Sequence, residues 1–262
     1  CHGLAKDSEG FLRIDDAIAI KARSSRAAWE AEMLCQGAQR DGLVLPEFNL
    51  AKHVAPVQHN PAWPLYRAID FGYTNPMVCL WLQVTPAGCV HVIQEYCQAR
   101  VAIEQHAHEI KKLDHDRDVV GTYVDPAGNA RESNGTSCIA TLASAGIQCQ
   151  YCKSTIAGGL ELIRAALAPA GSGMGAPPMS STVAGVPNAS SSKPELVPPR
   201  LLISPTCKKL INAFQTYHFP PIESAHNQST PVKDGPDHFI DALRYFFVNR
   251  CQAQLETTRG KY

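Results

Sequence analysis

The chain has 262 residues, 45% of them apolar, enough to bury a full hydrophobic core and to set an expectation of one or two domains. Its 24 Lys and Arg balance its 24 Asp and Glu, so bulk positive charge cannot carry nucleic-acid binding. A nucleic-acid partner has to be held by a local patch, by metal ions, or with help from another chain.

No apolar run approaches the ~18 residues of a membrane-spanning helix, and nothing reads as a signal peptide. Ten cysteines are scattered without framework spacing, and a chain with this much core needs no disulfide scaffold. Cys149 and Cys152 form the one close pair, and no second pair stands at zinc-site spacing. The thiols are expected to be reduced and mostly buried. The chain opens at Cys1 with no initiator Met and reads as a piece of a longer polypeptide.

Along the chain, residues 24–34 have helical spacing after a Ser entry signal. The stretch to Pro61 is loop-like, with Pro46 and Pro56. Residues 1–62 are therefore expected as a linker arm, 63–252 as the main domain and 253–262 as a tail. A short apolar run at 67–71, a continuous one at 77–84, the turn Thr85–Gly88 and a third run at 89–96 predict an antiparallel meander. A helix is expected over 101–113, with apolar residues at 103, 107, 110 and 113, and a buried strand over 119–124. Helices follow at 137–145 and 155–168, with a strand at 147–151 between them. Residues 169–199 consist mostly of Pro, Gly, Ser and Ala, which bury too little surface to offset ordering entropy, so this insertion is expected to be flexible. A strand at 201–204, a helix at 207–217 and a last helix from Asp237 to about Cys251 complete the order. Three antiparallel strands followed by crossover units predict an α/β fold, a mixed sheet with helices on both faces.

Two of these strands end in carboxylates. Asp70 closes the first, before Gly72, and Asp125 closes the fourth, before Pro126. If those strands are neighbours, the two acids share a rim where ligands bind. On the last helix Phe239, Leu243, Phe246 and Phe247 form an apolar stripe, while Asp237 and Asp241 share an adjoining face near His238. Three acids converging in a partly dry cleft repel one another. Hard divalent cations with oxygen ligands, Mg2+ or Mn2+, relieve that repulsion. Two such ions about 3.5–4 Å apart can hydrolyse a phosphodiester. Taken singly, each residue also has an ordinary reading: a strand-end Asp as a turn or cap, Asp237 as an N-cap, His238 as a surface side chain.

Three stretches carry a resemblance: Ala68-Ile69-Asp70-Phe71-Gly72 with Asn75-Pro76, Val124-Asp125-Pro126-Ala127-Gly128, and Asp237-His238-Phe239-Ile240-Asp241-Ala242-Leu243-Arg244-Tyr245. With Gly158–Arg164 and Leu201–Ile211 in support, the sequence resembles the C-terminal nuclease domain of the large terminase subunit of tailed bacteriophages, over about residues 15–250. The resemblance implies a ribonuclease H-like fold and places Asp70, Asp125 and Asp241 at two metal ions, with His238 and Asp237 close by. It implies an endonuclease that cuts concatemeric double-stranded viral DNA while the capsid fills, in the bacterial host cytoplasm at the procapsid. The implied partners are an ATPase motor domain, reached through the arm around Trp29–Leu34, the portal and the small terminase subunit. The insertion at 169–199 is long for that family. The Gly-rich phosphate loop of an ATPase is absent, so no ATP hydrolysis is expected of this piece. Lys153 and Arg131 are candidates for DNA phosphate contacts.

Three rival readings remain open at this level. Another ribonuclease H-like enzyme, of the resolvase or transposase type, shares the element order. Asp70-Phe71-Gly72-Tyr73-Thr74 also fits the phosphate loop of sugar kinases and actin-like ATPases, although no second phosphate loop or adenosine motif accompanies it. A non-catalytic packaging scaffold is the third.

Overall fold

The computed structural model describes residues 42–130, 135–168, 200–220 and 230–259, with side chains as far as residue 251. The expected helix at 24–34, the insertion at 169–199 and Arg131 lie outside the described residues. The chain divides into two compact units, Cys1–Pro46 with His218–Val232, and Glu47–Tyr217 with Lys233–Tyr262. In the first, Leu43 and His218 form an antiparallel bridge, and the Phe219 amide donates to the Gly42 carbonyl at 2.7 Å.

The second unit holds the sheet. Its strands are β1 (Leu65–Asp70), β2 (Met77–Val84), β3 (Val90–Gln98), β4 (Val119–Val124), β5 (Cys149–Gln150) and β6 (Leu201–Ile203), in the spatial order β5-β4-β1-β2-β3-β6. β1, β2 and β3 form the expected antiparallel meander. β4 runs parallel to β1, β5 parallel to β4, and β6 parallel to β3. The helices are α1 (Leu50–His53), α2 (Ile103–Leu113), α3 (Cys138–Ser144), α4 (Ile156–Leu167), α5 (Lys208–Thr216) and α6 (Pro236–Arg259).

β1 and β2 are buried along their whole length because both faces of the sheet are covered. On one face Leu65, Ile69, Met77, Cys79, Trp81 and Val124 pack with Ala107 and Ile110 of α2 and Leu142 of α3. Alternate residues point to the other face. There Tyr66 and Tyr123 stack at 5.7 Å, and Phe246 of α6 sits edge-on to Tyr66 at 5.8 Å. Helix α6 crosses this face over β1, β2 and β4, with α4 and α5 packed against it.

Three features differ from the sequence reading. Residues 47–62, expected within the arm, are built into the sheet unit: Val54 bridges Ile203 in parallel, His53 Nε2 lies 3.0 Å from the Leu167 carbonyl, and the Asn60 amide donates to Gln83 at 2.8 Å. These anchors are isolated residues with no period, so no pattern announced them. Helix α6 continues to Arg259, and residues 241–246 are buried without a break. Neighbours below and on both sides bury its polar positions as well as its stripe. Of the eight cysteines described, Cys79 and Cys207 are buried and the other six are half-buried, a wetter set than expected.

The loops leaving β1 and β4 interlock. The Asp125 amide donates to the Ile69 carbonyl at 3.2 Å. A Cβ built on Gly128 would come within 2.1 Å of the Phe71 ring, so the ring lies directly on that glycine's backbone. Gly128→Ala is expected to destabilise the protein by about 1–3 kcal/mol, as overpacking does. Urea denaturation checks this, and an unchanged midpoint would show that the two loops are not locked together.

Candidate metal centre

Strand alternation sets the site. Tyr66, Ala68 and Asp70 take the α6 face of β1, and Tyr123 takes the same face of β4, so Asp125, two residues on, continues that side. The last paired residues of the two strands are Ile69 and Val124. Asp70 and Asp125 therefore leave adjacent parallel strands side by side, as the sequence reading required.

Helix α6 brings the remaining groups. His238 Nδ1 lies 2.8 Å from Asp70 Oδ2, and the imidazole is the donor because an ionised carboxylate can only accept. One turn further, Asp241 Oδ1 accepts from Arg244 Nε at 2.9 Å, both side chains being buried. Arg244 reaches on to Ser154 Oγ at 3.2 Å and lies over the Tyr245 ring at 4.5 Å. Its stem passes over Gly159 of α4, where a Cβ would come within 2.3 Å of Arg244 Cγ. Only glycine permits that approach without displacing the arginine.

The acids act on one another's charge. Burial pushes the Asp70 carboxyl up to about 6; the His238 hydrogen bond pulls it down, and the charges of Asp241 and Asp125 push it up again. His238 is raised by its bond to Asp70, against its burial, with Asp237 and Asp241 adding to the rise. The Tyr245 phenol is raised by burial and then by Asp70, Asp241 and Asp125 in turn, so one ring feels all three acids.

The other residues divide. Asp237 is buried in the first turn of α6, one residue from His238, and its side chain reaches back to accept from the Gly235 amide at 2.9 Å. Lys153 is exposed and adjoins Ser154, the anchor of Arg244. Asp125 also caps the short 3-10 helix Pro126–Asn129, its Oδ1 accepting from the Ala127 amide at 2.9 Å. The ordinary reading of Asp125 as a cap is thus present alongside the shared rim, whereas Asp237 lies inside α6 and is not its N-cap.

Among the described residues, no three His, Cys, Asp or Glu side chains stand close enough to form a ready ligand set. The acids are each engaged by a donor: Asp70 by His238, Asp241 by Arg244, Asp125 by a backbone amide. Like charges stay apart unless a cation lies between them. The donor set, all carboxylate oxygen, suits a hard divalent ion. Sequence reasoning quoted Arg244 and Tyr245 but gave them no role. The spacing of Asp241 and Arg244, three apart on a helix, was the available signal.

No family model and no curated protein matches the sequence. Solved structures do match in fold. The large terminase of one thermophilic bacteriophage superposes with a TM-score of 0.60 at 20% identity, over 79% of this chain and 45% of that one. The chain thus spans less than half the length of that protein. The P22 large terminase nuclease domain superposes with a TM-score of 0.57 at 15% identity, over 81% of this chain and 95% of that domain. The large terminase nuclease of a second thermophilic phage, G20c, solved with bound magnesium, gives 0.53 at 10% identity over 79% and 97%. The chain therefore has the ribonuclease H-like fold of the nuclease domains of phage large terminases.

Proposed function

We propose that this chain is a divalent-metal-dependent endonuclease that cleaves concatemeric double-stranded viral DNA during genome packaging. What supports the reading is that Asp70 and Asp125 close adjacent parallel strands and that Asp70 is hydrogen-bonded to His238, on the same helix that carries Asp241. The fold supports it, and so does the G20c nuclease with magnesium bound.

In this reading Asp70, Asp125 and Asp241 would hold two ions, Mg2+ or Mn2+. Such ions, when bound, activate water and stabilise the departing 3′ oxygen of a phosphodiester. The chain's own residues do the positioning. His238 fixes the rotamer of Asp70 and carries a proton at Nδ1 that offsets its charge. Arg244 does the same for Asp241, and is itself held by Ser154 and by the gap that Gly159 leaves. Asp237 holds the Gly235 amide at the turn that aims His238. Lys153 and Arg131 contact the DNA backbone. In the intact protein an ATPase motor, reached through the segment before the sheet unit, works with the portal and the small terminase subunit at the procapsid in the host cytoplasm.

One variant tests both the chemistry and its cost. Asp70→Asn is expected to lower plasmid nicking in Mg2+ or Mn2+ by at least about a hundredfold, as loss of a transition-state-stabilising group does. Metal-dependent nicking at the wild-type rate would refute the assignment. The same variant is expected to melt higher in chelator. The folded-state carboxyl titrates near 6, above its ordinary value. Its burden on the fold is therefore absent at low pH, grows as pH rises from the ordinary carboxylate range through about 6, and is constant above that. Asp70→Asn removes the burden. The gain in Tm is expected to be a few degrees at neutral pH and to shrink towards pH 4. A variant that melts lower than wild type at neutral pH would contradict this.

A further inference from the structure

The rim that carries the acids carries more than acids. β3 runs parallel to β1, since each is antiparallel to β2, and β5 runs parallel to β4. The chain therefore leaves β5, β4, β1 and β3 at the same edge. Beyond β5 come Tyr151 and Lys153, beyond β4 Asp125, beyond β1 Tyr73, and beyond β3 Arg100. Tyr73 is 66% exposed and Tyr151 39%, two of only four large apolar side chains so exposed among the described residues. Arg100 and Lys153 are exposed as well, with no ion pair to any described residue.

Arg100 is also held against its backbone preference. Its φ is +60°, in the left-handed region that side chains with a Cβ rarely adopt. The other two such non-glycine residues, His115 and Asp116, form the turn that leaves α2. Arg100 keeps this conformation because its amide donates to the Tyr73 carbonyl at 2.7 Å. The Tyr73 loop turns tightly, since Gly72 sits so close to the carbonyls of Asn75 and Pro76 that a Cβ would come within 2.5 Å of the first and 2.9 Å of the second. A strained arginine and an exposed tyrosine are thus fixed to each other beside Asp70. Strain held in place by surrounding structure is a mark of a working surface.

We propose that this rim is a track for a DNA duplex, with Tyr73 and Arg100 gripping the backbone on one flank of the three acids and Tyr151 and Lys153 on the other. The inference rests on the nuclease reading and adds the path of the substrate. Arginine, lysine and tyrosine are residue types that position a duplex through phosphate and sugar contacts. From β5 to β3 is four strand spacings, about 19 Å. At about 3.4 Å per base pair the track spans about five or six base pairs, with the acids inside it. A local cation on each flank also explains how a chain of zero net charge can hold DNA.

The test measures binding in chelator, where no cleavage interferes. A fluorescently labelled duplex longer than the track is titrated with wild type, Arg100→Gly, Tyr73→Ala and Tyr151→Ala, each over a range of salt. Arg100→Gly is the informative variant, because glycine is at ease at this φ and the variant should melt no lower than wild type. It is expected to weaken binding about tenfold and to flatten the slope of log K against log salt by about 1. Tyr73→Ala and Tyr151→Ala are expected to weaken binding severalfold while leaving that slope unchanged. Four proteins with the same affinity and slope, or no binding by any of them, overturn the track. Wild type that fails to nick plasmid in metal while the variants still lose duplex affinity supports the track and removes the nuclease reading instead.

Discussion

The rest of the site depends on one repulsion. A carboxylate 5% exposed at the end of β1 faces two more acids, and burial alone already disfavours its charge. The fold counters this with two donors from a single helix, His238 for Asp70 and Arg244 for Asp241. Both donors sit near the first turns of α6, and α6 is fixed by packing across β1, β2 and β4. Removing Asp70 relieves the fold, whereas removing either member of the buried Asp241–Arg244 pair leaves a charge without its partner. In the proposed reading, a cation would relieve this tension.

Close packing keeps the acids in register. Phe71 lies on Gly128 and Arg244 passes over Gly159, two contacts in which an added methyl group has no room. The first locks the loop after β1 to the loop after β4. The second aligns α4 with α6. The placing of the acids therefore rests on two glycines that carry no chemistry, Gly128 three residues after Asp125 and Gly159 far in the chain from Asp241.

The order and type of the described elements of the sheet unit, except the single turn α1 and the 3-10 turn Pro126–Asn129, could be read from the sequence. The run at 77–84 is continuous and almost wholly apolar, the imprint of burial on both faces, whereas 119–124, expected as a buried strand, is buried only over Thr122–Val124, with Val120 62% exposed. The strand-end acids were legible for the same reason, because a carboxylate closing an apolar run is conspicuous. The docking of residues 47–62 was not legible, since it depends on single anchors, among them the Phe48 ring stacked on Phe214 at 4.5 Å. Nor were the roles of Arg244 and Tyr245. Periodicity placed α6 as an amphipathic helix, and only the tertiary packing of α4 and α5 shows that its polar positions are buried too. The Arg100 backbone conformation leaves no trace in composition at all.

The central claim is that three acids with no ready ligand geometry among the described residues become one ion-binding site when a cation is offered. Calorimetric titration of Mn2+ into the protein and into Asp70→Asn, Asp125→Asn and Asp241→Asn tests it directly. The account predicts two bound ions in wild type and the loss of at least one in each variant. Wild type that takes up no Mn2+, or three variants that bind it as wild type does, would contradict it.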